Sequence, residues 1–198
     1  MLRKFRIVIW IVVALAAAGL AFLLLRPAPT PPSSQQIETV DFGGPFTLTG
    51  SDGKPFSSTR LQGQPYAIFF GFTHCPDVCP TTLARMVRLR EQLGASGEKL
   101  QILFVTVDPE RDGPAEVGKY AELFDAPVTG LTGSPAQIEQ VKKKYGIYSR
   151  KVPSEGGEYG VDHTATVLLF DPRGEFTGTI AQEESDQAAI AKLQRIVA

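Results

Sequence analysis

The chain has 198 residues, of which 43% are hydrophobic, 20 basic and 21 acidic, for a formal charge of −1. That balance does not fit a nucleic-acid partner: the one basic run, Lys142-Lys143-Lys144, falls within a helical pattern and reads as a solvated face. Four of the 20 basic residues lie before Pro27, so the remainder carries 16 basic against 21 acidic residues, a net −5.

Ile7 to Leu25 is an uninterrupted apolar run of 19 residues. At helical rise it spans about 28 Å, enough for a bilayer core. Arg3, Lys4 and Arg6 precede it and only Arg26 follows, so the positive-inside rule puts residues 1–6 in the cytoplasm and everything beyond the run outside. A cleaved signal peptide also opens on basic residues, but its apolar core is usually about 7–15 residues long. Here Arg26-Pro27 stands where a small-residue cleavage site is needed. A single-pass, uncleaved anchor over 7–25 is therefore expected. With no Arg- and Ser-rich transit segment ahead of it, the expected membrane is the bacterial inner membrane. Pro27 to Ser34 reads PAPTPPSS, a composition of extended, poorly packed chain, which makes 26–36 a tether. Residues 37–198 then form one domain of ordinary size, outside the cytoplasm.

Within that domain strands and helices alternate. Phe46 and Leu48 alternate with polar residues, and the Ser51-Asp52-Gly53 turn leads to Phe56, as in a small hairpin. Tyr66 to Phe72 is a short aromatic run of the kind found in strands buried on both faces. Beyond Pro80, Leu83, Met86, Val87 and Leu93 follow a helical period that ends at Gly94 and Gly97. Leu100 to Val107 is a second central strand, and a helix is expected from Gly113 to Phe124. Ser134-Pro135 opens another helix, with Ser as N-cap and Pro at its first position. Residues 147–163 contain Ser-Glu-Gly-Gly and form an inserted hairpin or long loop. Thr166–Phe170 and Phe176–Ile180 make a strand pair, and a last helix runs from Ser185 to Val197. This order gives an α/β fold: a mixed sheet with helices on both faces.

The chemistry concentrates at Cys75-Pro-Asp-Val-Cys79, followed by Pro80 and answered downstream by Asp162-His163. A cysteine pair between a buried strand and a helix lies at the carboxyl edge of the sheet, where α/β folds place their sites. Pro76 and Pro80 each suit the first turn of a helix and push the preceding cysteine out of helical geometry. Helix starts stabilise thiolates, the reactive form in both metal binding and disulfide exchange. A purely structural bridge is the poorer reading, because closing about five residues removes chain entropy worth only about 2 kcal/mol. Redox pairs usually follow C-x-x-C, and here three residues intervene. Two thiolates and an imidazole make a three-coordinate site suited to copper in both oxidation states. Zinc, the rival, would need both histidines or a carboxylate to complete four ligands. His74 is expected to point away from its neighbour Cys75. Asp77 suits a helix amino terminus, and Asp162 is placed to orient His163. Asp108, at the end of a strand on the same edge, would supply negative potential for docking a copper donor or acceptor.

Three separated segments, Gly71-Phe-Thr-His-Cys-Pro-Asp-Val-Cys-Pro80, Val105-Thr-Val-Asp-Pro-Glu-Arg-Asp112 and Tyr159-Gly-Val-Asp-His163, resemble in that order the Sco/SenC family. The resemblance covers about residues 37–198. It implies a thioredoxin-like fold with an inserted hairpin and a copper site of two cysteines and one histidine, which here fall on Cys75, Cys79 and His163. It also implies a role in assembling the dinuclear copper (CuA) centre of cytochrome c oxidase. The partners would be the oxidase subunit carrying that centre and an unidentified copper donor.

Carriage of copper rather than turnover is the reading this supports. The alternative is a thiol–disulfide reductase that keeps the CuA-site cysteines reduced, with Cys75 and Cys79 as its catalytic pair. Asp162-His163-Thr164-Ala165 stands where thioredoxin-like reductases usually carry a cis-proline, and it contains no proline.

Overall fold

The computed structural model describes residues 42–153 and 159–198 continuously, together with Arg6, Trp10, Ala14, Leu15, Gly19 and Phe22. Those six positions are helical. The rest of the expected anchor at 7–25, and the whole tether at 26–36, lie outside the described residues. Among the described residues no helix is long and apolar enough to cross a membrane. The chain divides into two compact units, 1–39 and 40–198.

The second unit runs β1 (Thr47–Gly50), β2 (Pro55–Ser57), β3 (Tyr66–Gly71), α1 (Val78–Gln92), β4 (Gln101–Thr106), α2 (Pro114–Glu122), β5 (Val128–Thr132) and α3 (Pro135–Lys144). It continues with β6 (Ser149–Pro153), β7 (Tyr159–His163), β8 (Val167–Phe170), β9 (Phe176–Ile180) and α4 (Asp186–Val197). Seven strands form one sheet in the order β2-β1-β5-β4-β3-β8-β9. The central β3, β4 and β5 are parallel, while β1 and β8 run antiparallel to their inner neighbours. β6 and β7 pair with each other as a separate hairpin, as expected for the insertion.

Every residue of β3 is buried, which is why it reads as a continuous apolar run rather than an alternating one. Its side chains serve two different layers. Phe69 and its parallel neighbour Phe104 face one side, where Phe104 meets Tyr120 of α2 with ring centroids 4.9 Å apart. Phe70 faces the other, against Tyr145 at the end of α3, which also packs on Phe170. Helices therefore cover both faces. Each such ring removed from water stabilises the fold by about 1.5–3 kcal/mol.

Two features depart from expectation. β5 has no strand signal in its sequence, Val-Thr-Gly-Leu-Thr, because α2 lies directly on it: a Cβ at Gly130 would stand 2.4 Å from the Val117 carbonyl oxygen. The second departure is the start of α1. Cys79 is helical, the second residue of α1, with Pro80 third. First-turn N–H groups have no partner inside the helix, so Pro80 loses no intrahelical bond there. Cys79 uses its own free N–H elsewhere, on a sulfur.

Candidate metal centre

That sulfur is Cys75 Sγ, which accepts from Cys79 N at 3.4 Å. Cys75 lies in the turn between β3 and α1, with its N–H bonded to the Phe72 carbonyl at 3.2 Å. Cys79 points inward and is fully buried, whereas Cys75 is half-buried, and both are free thiols. The turn is shaped by an absence. A Cβ at Gly71 would sit 2.9 Å from Cys79 Sγ and 3.0 Å from each of the Phe104 and Phe69 rings, so glycine leaves the space that the sulfur fills.

His163 arrives from the hairpin. It is the last residue of β7 and pairs with Ser149, so of the two forms expected for 147–163, hairpin or long loop, the hairpin carries it. Its Nδ1 lies 3.0 Å from the Thr164 carbonyl oxygen. A carbonyl only accepts, so Nδ1 carries the proton and Nε2 presents its lone pair. Nε2 lies 3.5 Å from Cys79 Sγ. The two sulfurs and an imidazole nitrogen all fall within 4.8 Å of one another. The Phe69 and Phe72 rings make T-shaped contacts with the imidazole, at centroid distances of 6.0 and 5.7 Å.

Burial governs the protonation of this cluster. It pushes the Cys79 thiol well up, against a smaller downward pull from a backbone hydrogen bond at Phe72, so burial works against the thiolate that the helix start was expected to favour. Burial also holds His163 below its ordinary value, against smaller upward pulls from the Thr164 hydrogen bond and Asp162. Burial thus favours the uncharged form of both Cys79 and His163.

The remaining expected residues fall around the cluster. His74 is half-exposed and turned aside, its Nδ1 3.1 Å from Thr73 Oγ1. Asp77 is the N-cap of α1 but makes no side-chain capping bond; its carbonyl accepts from Thr81. Asp162 does not orient His163. Strand alternation puts it on the opposite face of β7, where it meets Arg150 at 3.2 Å in solvent. Asp108 does not present charge to a partner: it is buried and fully engaged, by Arg111 Nε at 2.5 Å and the Tyr159 hydroxyl at 3.0 Å.

One residue escaped notice in the sequence. Asp112 is buried and accepts from Thr73 N at 2.9 Å, Thr73 Oγ1 at 2.6 Å and Thr106 Oγ1 at 2.6 Å. It fastens the turn leading to Cys75 onto the end of β4. The only available signal was its place at the end of the second motif.

A mixed sheet with helices, a cysteine pair at the mouth of a helix and a histidine brought in by an inserted hairpin define a thioredoxin-like domain with a soft-metal site. The SCO1/SenC family model matches residues 34–198, and the chain belongs to that family. Among its relatives is Protein SCO2, mitochondrial, of Saccharomyces cerevisiae. It is 34% identical over 174 residues, covering 86% of this chain and 58% of that protein. Protein SCO1 homolog 1, mitochondrial, of Arabidopsis thaliana is 38% identical over 68% of this chain and 40% of its own length, so the chain spans about half of these relatives. Of the solved structures, Bradyrhizobium japonicum ScoI with copper bound is similar at a TM-score of 0.71 and 42% identity, covering 78% of this chain and 99% of that one. BsSco, described as a member of the Sco family of cytochrome c oxidase assembly proteins and as having a disulfide switch, matches at a TM-score of 0.62 and 28% identity over 78% of this chain and 92% of its own.

Proposed function

We propose that this chain is a membrane-anchored copper carrier that delivers copper to the CuA centre of cytochrome c oxidase, holding it on Cys75, Cys79 and His163. The observation that carries this reading is the convergence of two thiols and an imidazole nitrogen within 4.8 Å, with Nε2 3.5 Å from Cys79 Sγ and Nδ1 already committed to Thr164. Two soft sulfurs and one nitrogen suit Cu(I) and tolerate Cu(II), and a similar chain has been solved with copper bound. Capture of Cu(I) releases the thiol protons to solvent. The half-buried Cys75 is the side from which acceptor thiolates enter, replacing the donors one at a time. The anchor over 7–25 and the tether over 26–36 would keep the domain outside the cytoplasm, beside an oxidase subunit in the same bacterial membrane.

A thiol–disulfide reductase remains the second reading because one contact favours it. The free N–H at the start of α1 donates to Cys75 Sγ, the arrangement that activates an attacking sulfur, with Cys79 behind it. An anaerobic Cu(I) competition titration of the reduced full chain separates the two. Copper carriage requires one copper per chain and affinity at least tenfold weaker in His163→Ala. Affinity indifferent to that substitution would leave a cysteine pair without its third donor and give the reductase reading precedence.

A further inference from the structure

The hairpin that brings His163 to the sulfurs belongs to no larger sheet. Among the described residues β6 and β7 pair only with each other, and an isolated two-stranded hairpin has little rigidity of its own. Tyr159, Val161 and His163 share the face of β7 that turns toward the domain, since alternate residues of a strand point the same way. Val161 packs against the core and His163 against Phe69 and Phe72. Tyr159 makes the most elaborate contact of the three. Its hydroxyl donates to Asp108 at 3.0 Å, and its carbonyl accepts from Arg111 Nη1 at 3.0 Å. The Arg111 guanidinium lies 3.8 Å from the centroid of its ring. Lys151, across the hairpin on β6, closes the outside, 4.5 Å from the same ring and 2.6 Å from Glu110.

We infer that Tyr159 is a positioning residue for His163, latching the hairpin to the β4–α2 loop so that the imidazole is held at the sulfurs. The inference rests on the copper-carrier reading. The path is continuous: Arg111 stacks on Tyr159 and reaches the Phe72 ring at 5.9 Å, and Phe72 makes a T-shaped contact with the imidazole. Arg111 Nη2 is buried without a hydrogen-bond partner, so the guanidinium is held in part by these rings. Releasing Tyr159 frees the roll of β7 about its axis, and His163 rolls with it. The partners of a metal-bound histidine typically alter metal affinity by about 10- to 100-fold when removed. Tyr159 acts one step further out, so its effect belongs at the lower end of that range.

The test is a cycle on the full chain: Cu(I) affinity of wild type, Tyr159→Phe, His163→Ala and the double variant, with apo-protein melting as the check on folding. Tyr159→Phe is expected to weaken Cu(I) about tenfold in the wild-type background and to change nothing further once His163 is gone. No loss from Tyr159→Phe, or the same loss in both backgrounds, overturns the inference. If His163→Ala alone binds as wild type does, the copper-carrier reading itself has failed. Should Tyr159→Phe not fold, Arg111→Lys keeps the charge beside Asp108, removes the planar stack and must show the same dependence on His163.

Discussion

At Cys79 burial and metal capture act in opposite directions. The thiol is pushed up by removal from water, so the metal-free protein keeps its proton at neutral pH, and copper must displace it. His163, held down by burial, is neutral above its ordinary value and adds no proton there. The sign follows: above about pH 6.5 every proton displaced by copper comes from sulfur, so apparent Cu(I) affinity rises with pH. At least one displaced proton predicts at least a tenfold rise between about pH 7 and pH 8, read by competition titration at the two values. A flat profile would mean that the sulfurs are already ionised before copper arrives. The cysteines and His163 were legible in the sequence because few residue types bind soft metals, and both cysteines flank obvious structural punctuation. Asp112 and Tyr159 were not legible. The partners that give them their roles, Thr73 for Asp112 and Asp108 for Tyr159, lie 39 and 51 residues away, and no local pattern distinguishes a carboxylate that fastens a turn from one in solvent.

Among elements, α1 matters most, since it presents Cys79 and its orientation is fixed at its middle by one arginine. Arg85 donates from Nε to Asp186 at 2.7 Å and from Nη1 to the Ala181 carbonyl at 3.1 Å and the Gln182 carbonyl at 3.3 Å; its Nη2 donates to the Glu184 carbonyl. These contacts bind α1 to the turn between β9 and α4. Arg85→Met keeps the aliphatic stem and loses every donor, so it is expected to lower unfolding stability by about 2 kcal/mol, read from the denaturant midpoint at constant slope. A loss under about 0.5 kcal/mol would show that water replaces the guanidinium without penalty. Most elements announced themselves. Ser134-Pro135-Ala-Gln137 forms the capping box its residues specify, and Phe176–Ile180 falls where its turn places it. β5 did not, because the glycine that admits α2 erased the strand pattern. Sequence carries the periodicity of a residue's own element and little of what a neighbouring element demands.

For the whole molecule, the proposed division of labour is spatial: capture by the domain, delivery by its attachment. Among the described residues the hydrophobic core begins at Phe46 and ends at Val197, and the sheet and all three proposed donors lie inside that stretch. Residues 1–36 include none of the described core residues and none of the proposed donors. Their deletion is therefore expected to leave a water-soluble protein whose melting temperature and Cu(I) affinity match the full chain. The same deletion should fail to support oxidase assembly in cells that require this protein, because a free domain meets a membrane-bound acceptor only by three-dimensional diffusion. A tether attached to the same membrane raises the effective concentration instead, to the order of mM for short flexible linkers. Fusing the truncated domain to an unrelated single-pass anchor through a linker of similar length tests the cause: assembly should return. If the soluble domain assembles the oxidase as well as the full chain, attachment contributes nothing to transfer and residues 1–36 serve another purpose. If the refused anchor does not rescue, those residues carry recognition of their own beyond holding the domain in place.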